Sequence, residues 1–186
     1  MASRTSDPAE LFTSALSGDR GALARLLSLI ERGGQDARTI GRLTYPKSGK
    51  GYTVGITGAP GAGKSTLTSA TIGHLRKQQL QVAVLAIDPS SPFTGGAILG
   101  DRVRMQDHAT DTGVFIRSMA TRGHLGGLSL ATSEAIRLLD AVGCPWILVE
   151  TVGVGQVEVE IVGKADTTVV VVNPGWGDSV QANKAG

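Results

Sequence analysis

Gly58-Ala59-Pro60-Gly61-Ala62-Gly63-Lys64-Ser65 is the stretch that most narrows what this chain can become. It has the spacing G-x-x-x-x-G-K-S and follows directly on the apolar run Tyr52-Thr53-Val54-Gly55-Ile56-Thr57, so a strand has to hand over to a helix across it. Glycines let the backbone curl until successive N–H groups face inward, and the first turn of the following helix adds uncapped donors and a positive dipole end. Such a loop cradles the phosphates of a nucleoside triphosphate. On this reading the backbone from Gly58 through Ser65 to Thr66 surrounds the phosphates, Lys64 bridges the outer ones, and the Ser65 hydroxyl ligates magnesium.

The rest of the chain supplies the sheet this loop needs. From residue 51 onward strand and helix patterns alternate, the rhythm of an α/β protein whose mostly parallel sheet is covered by helices on both faces. The pattern predicts strands at 52–57, 81–87, 114–117, 145–150 and 167–173, and helices at 64–79, 100–108, 128–142 and 156–163. Val82 to Ile87 and Val169 to Val172 are apolar without alternation, which suits strands buried on both faces. Before residue 51 the signals are helical. Asp7-Pro8-Ala9-Glu10 starts one helix, and a second runs from near Asp19 to Gly33-Gly34. Leu23, Leu26, Leu27 and Ile30 give that second helix an apolar face that needs a partner, either the main domain or another subunit. Residues 34–50, more polar and interrupted by Pro46 and Ser48-Gly49, read as a connection. The expected division is therefore an N-terminal helical arm with its connection at 1–50 and a P-loop nucleotide-binding domain at 51–186. Only about a dozen residues follow the last strand, so that domain is expected to be truncated at its C-terminal end.

Composition excludes several classes. The 186 residues are 41% hydrophobic and 18% charged, which fits one globular domain with a full core. The 18 basic and 16 acidic residues are interspersed, leaving a net charge of +2 and no basic run, so nucleic acid is not the expected partner. Asp7 and Glu10 argue against a secretory leader, and no apolar stretch approaches the roughly 20 residues that span a bilayer. The single cysteine, Cys144, sits between Gly143 and Pro145 at the start of a buried strand, where it serves packing. It points to a reducing compartment, and the expected location is the cytoplasm.

Ligands in such sheets bind outside the carboxyl ends of the strands, and two acids emerge there. Asp88 ends the strand Val82 to Ile87, and Glu150 ends Trp146-Ile147-Leu148-Val149; both are candidates to hold Mg2+. Glu150-Thr151-Val152-Gly153 stands where many GTPases have D-x-x-G, with Gly153 offering its N–H to the outermost phosphate. Small GTPases follow that glycine with a glutamine that orients water; here Val154 follows, which predicts slow intrinsic hydrolysis. Asp101 either caps the next helix or joins the catalytic set with Lys64 and Glu150. Thr121 to Gly127 reads as a flexible loop in which Arg122 and His124 face phosphate, a partner or solvent. His74 and His108 lack metal-ligand spacing and are expected to be structural.

Four motifs occur in order: Asp88-Pro89-Ser90-Ser91; Gly95-Gly96 through Leu99-Gly100-Asp101-Arg102; Arg122-Gly123-His124-Leu125-Gly126-Gly127-Leu128-Ser129; and Glu150-Thr151-Val152-Gly153-Val154-Gly155-Gln156. With them the chain resembles the MeaB/MMAA/ArgK group of P-loop GTPases, chaperones of adenosylcobalamin-dependent methylmalonyl-CoA mutase. The resemblance covers about residues 8 to 186. It implies a GTP- and GDP-binding, GTP-hydrolysing protein, dimeric in its full-length form, that binds the mutase, gates cofactor delivery and protects the enzyme. It also implies that Asp88 and Glu150 organise the metal, that Asp101 joins the site in its active arrangement, and that Gln181 and Lys184 lie on a loop reporting nucleotide state to the mutase. Guanine specificity comes from the resemblance alone, because Asn183-Lys184-Ala185-Gly186 only imitates the start of N-K-x-D. Two other classes remain open: an ATP-dependent kinase linked to transport of basic amino acids, and a nucleotide-controlled adaptor.

Overall fold

The computed structural model describes residues 7–88, 108, 110–120, 125–151 and 163–173, with backbone alone at 88, 120 and 125–129. Three helices come first: α1 (Pro8–Leu16), α2 (Arg20–Arg32) and α3 (Gly34–Thr44). They precede β1 (Tyr52–Gly58), α4 (Lys64–Lys77), β2 (Val82–Asp88), β3 (Val114–Ala120), α5 (Leu125–Ala141), β4 (Trp146–Thr151) and β5 (Thr167–Val171). The strands form one sheet in the order β3-β2-β4-β1-β5, and every neighbouring pair is parallel. With helices on both faces, this is the P-loop NTPase fold.

Local chemistry sets the helix ends as expected at α1 and α2. Asp7 caps α1, and the Asp19 side chain accepts from the Gly21 and Ala22 amides at 2.7 and 3.0 Å. Gly33, at φ +72°, ends α2 in a backbone region that favours glycine. The same residue then opens α3, so the expected connection over 34–50 is corrected to a third helix followed by a short link. Ile40, Leu43 and Thr44 recur at i, i+3 and i+4, and burial of Ile40 and Thr44 outweighs the polar remainder of the segment.

The arm helices pack on the sheet's own domain. Leu11, Leu26, Leu27, Ile30 and Ile40 share one continuous core with Leu138 and Leu139 of α5 and with Leu85, Ile87, Ile147 and Val149 of the sheet. Leu26 and Leu27 are wholly buried, each contributing about 2 kcal/mol of apolar transfer. The opposite face is covered by α4, whose Ile72 and Leu75 pack on Val82, Val84, Val114 and Leu148.

Several expected limits shift. β3 runs on to Ala120, because Asp88 and Ala120 still pair. The helix after it starts at Leu125, so Leu125-Gly126-Gly127 belong to α5 and not to a loop. α4 stops at Lys77, where Gln79 turns the chain at φ +61°. The run Val82–Ile87 is buried on both faces as predicted, but β5 ends at Val171, its valines are half-buried and Val172 is 60% exposed. Among the described strands β5 pairs only with β1, which leaves its other edge without the neighbour that buries a central strand. The predicted helices at 100–108 and 156–163 lie outside the described residues, except for His108 and Gly163. No helix among the described residues is long and apolar enough to cross a membrane.

Candidate functional site

The sheet order brings β4, β1 and β2 to the centre, so their carboxyl ends converge on one spot. Glu150 lies in register between Ile56 of β1 and Ala86 of β2, and Asp88 closes β2 at the same end. The chain leaves β1 at Gly58, loops through Gly61 and Gly63, and enters α4 at Lys64.

All three glycines have left-handed backbone angles, φ +138°, +80° and +96°. They differ in what surrounds them. A Cβ on Gly58 would sit 2.1 Å from the Val171 carbonyl oxygen, whereas one on Gly61 or Gly63 would meet nothing within 4 Å. Gly58 is therefore required by close packing with β5, and the other two by backbone conformation alone. Gly63 is also the N-cap of α4 and, lacking a side chain, leaves the first-turn amides of Lys64, Ser65 and Thr66 uncapped by a side chain. Ala62 N donates to Ala59 O at 3.1 Å and tightens the loop, while Pro60 is exposed.

Lys64 and Ser65 are each 7% exposed. The Lys64 ammonium folds back over the loop and donates to the Gly58 and Ala59 carbonyls, both at 2.9 Å. Ser65 Oγ donates to Glu150 Oε1 at 2.5 Å. Glu150 is 5% exposed, and its Oε2 has no hydrogen-bond partner among the described residues. A buried carboxylate oxygen without a donor is costly unless a cation or a ligand completes it. The structure thus joins Lys64, Ser65 and Glu150 in one cluster beneath the loop. Asp88 ends its strand beside them; its side chain lies outside the described residues, as do Asp101, Arg122, His124, Gly153, Val154, Gln181 and Lys184.

Strand alternation puts Glu150 and Ser65 on the α4 face. On the opposite face Thr57 and Thr151, 3% and 1% exposed, face each other, with Thr151 Oγ1 donating to Thr57 Oγ1 at 3.2 Å. Sequence reasoning passed over this pair, since threonine in an apolar strand reads as a β-former. The available signal was one threonine directly before Gly58 and one directly after Glu150. His108 lies 3.0 Å from the Ser69 hydroxyl of α4, and the exposed His74 lies 3.0 Å from the Gln78 amide one turn on.

A second concavity, a groove of about 330 Å³, lies at the amino end of the sheet among Arg20, Leu23, Phe115, Val142 and Cys144. Its cation is engaged by the fold: Arg20 donates to the Thr112 and Val114 carbonyls at 2.9 and 2.5 Å and lies over the Phe115 ring. Burial pushes the Cys144 thiol up to about 11, with the Asp140 charge adding to it, so the thiolate that would make this groove reactive is scarce at neutral pH.

The family model of the methylmalonyl-CoA mutase-associated GTPase MeaB matches residues 23–186. The chain belongs to the MeaB family. A Pyrococcus abyssi relative is 63% identical over 177 residues, covering 95% of this chain and 55% of the relative. GTPase ArgK of Escherichia coli is 41% identical over 173 residues, covering 91% of this chain and 52% of ArgK. Among solved structures, a LAO/AO transport system kinase superposes with a TM-score of 0.71 at 28% identity, over 92% of this chain and 51% of that one. This MeaB-family chain spans about half the length of the relatives it matches.

Proposed function

We propose that the chain carries the nucleotide site of a slow GTPase that serves adenosylcobalamin-dependent methylmalonyl-CoA mutase. One observation supports the nucleotide reading above others: a buried lysine and a serine–carboxylate pair lie beneath a glycine loop whose helix is uncapped. The loop amides from Gly58 to Thr66, Pro60 excepted, would receive phosphate oxygens, and Lys64 would exchange its two loop carbonyls for the outer phosphates. Ser65 Oγ and the Glu150 carboxylate are hard oxygen donors already in contact, and the unpartnered Oε2 leaves acceptor capacity, so the donor set fits magnesium with Asp88 as a further anchor. Bound there, magnesium would withdraw charge from the phosphate oxygens during phosphoryl transfer to water.

Asp101 and Gly153 would complete the closed site, and Gln181 and Lys184 would carry nucleotide state to the client. Val154, in place of a water-orienting glutamine, supports a slow intrinsic rate that a partner accelerates. The family description supports the mutase as client. The same reading makes the full-length protein a homodimer and places it in the cytoplasm, where its single cysteine, Cys144, fits a reducing compartment.

The test uses the full-length protein with magnesium and a fluorescent guanine nucleotide, competed by GTP, GDP and ATP, alongside assay of released phosphate. GTP and GDP should displace the probe, ATP should not, and phosphate should pass slowly to water. Equal competition by ATP, or phosphate recovered on an organic acceptor, would replace this reading with a kinase.

A further inference from the structure

Backbone pairing of β1 with β4 runs from Tyr52 opposite Trp146 to Ile56 opposite Glu150 and stops there. The next two residues in register are Thr57 and Thr151, and their hydroxyls make the contact that the ladder no longer makes. The Thr151 hydroxyl also lies 3.5 Å from the Ile56 carbonyl oxygen. Both side chains are buried, and strand alternation puts them on the sheet face opposite Glu150. Valine has the same shape and would fill the space without a polar atom. Packing alone therefore does not account for two buried hydroxyls turned toward each other.

Their position in the chain does. Thr57 is the last residue before Gly58, and Thr151 the first after Glu150. A loop with three left-handed glycines has many alternative paths, so the geometry of its stem decides where Lys64 and Ser65 sit relative to the Glu150 carboxylate.

We propose that the Thr57–Thr151 hydroxyl pair is a positioning clasp: it extends the β1–β4 register one step beyond the last backbone pair and thereby holds the phosphate loop at a set distance from Glu150. The two threonines touch neither phosphate nor metal and act through Gly58 and Glu150. The inference rests on the nucleotide reading above.

The experiment titrates Mg2+ against full-length protein and a fluorescent GDP analogue in wild type, Thr57→Val, Thr151→Val, the double valine variant and Thr151→Ser. Thermal unfolding of the nucleotide-free proteins runs in parallel. Each valine variant should raise the half-saturating Mg2+ concentration about fivefold, and the double variant should add little to either single change. Thr151→Ser, which keeps the hydroxyl, should restore the wild-type requirement to within about twofold. Unfolding midpoints should not follow that order. If a valine variant does not fold, Thr151→Ala set against Thr151→Ser makes the same comparison. An unchanged Mg2+ requirement in variants of a wild type that binds, effects that add in the double variant, or failure of serine to rescue would each overturn the clasp alone. A wild type without Mg2+-dependent nucleotide binding would overturn the nucleotide reading and the clasp with it.

Discussion

At the amino end of the sheet Asp140 accepts the backbone N–H groups of Gly49, Lys50 and Gly51, the Asp166 carboxylate accepts Thr53 N at 2.7 Å, and Asp111 accepts both Arg76 and Gly113 N. At the carboxyl end, about one strand length away, Glu150 accepts a single serine hydroxyl and keeps one oxygen without a partner among the described residues. These amino-end acids are saturated where they tie elements together, whereas Glu150, at the proposed nucleotide site, keeps an open acceptor, as Glu134 Oε2 does on α5. A buried acid short of donors costs stability, and proteins retain such costs where function needs them.

The largest expected effect tests the incomplete end. Glu150→Gln should weaken Mg2+-nucleotide binding about 10- to 100-fold, the range for hydrogen bonds and contacts to a charged group. The same change should raise the nucleotide-free melting temperature by about 2–4 °C, because it removes a poorly satisfied buried acid. A fall in both quantities, measured by titration and by scanning calorimetry, would erase the distinction between the two ends.

Next comes the saturated end. Asp140→Ala strips three amides of their acceptor and frees the segment that leads into β1, at a cost of about 1–2 kcal/mol in denaturant unfolding. Nucleotide affinity should stay within about twofold.

A smaller effect follows from Asp111. The Arg76 guanidinium, and after it the Gly113 amide, hold its carboxyl below the ordinary value of 3.8. A depressed folded value means that its stabilisation is fully present above the unfolded value and is lost as pH falls from 3.8 through the folded one. The raised value of Arg76 acts at the other extreme, present at every pH below its unfolded value and lost only in strong alkali. Asp111→Asn should therefore narrow the difference in unfolding midpoint between pH 7 and pH 3, measured by urea titration at each pH. The smallest effect concerns Cys144. With its thiol pushed up to about 11 by burial, alkylation by iodoacetamide at pH 8 should be slow in the folded protein and fast after unfolding.

Much of the site was legible because its chemistry is local. Gly58 to Ser65 are contiguous, and Asp88 and Glu150 announce themselves as acids at the ends of apolar strands. The two-helix arm was legible from its caps. α3 was missed because glycines at 33 and 34 and proline at 46 read as breaks, while the burial that holds Ile40 and Thr44 comes from surfaces far along the chain. The Thr57–Thr151 contact, separated by 94 residues, and the Arg76–Asp111 pair, separated by 35, exist only once the strand order is known. The half-exposed valines of β5 were misjudged for a related reason, since an apolar run records what a strand can tolerate and not which neighbours it has.

Gly58 and Val171 touch backbone to backbone, with no side chain between them to give way. Most neighbouring segments of a protein are cushioned by rotamers that absorb a small displacement. Here the fifth strand and the start of the phosphate loop have no such cushion. Displacing β5 should therefore bear directly on the first residue of the loop, and displacing that residue should bear on the rim of the sheet.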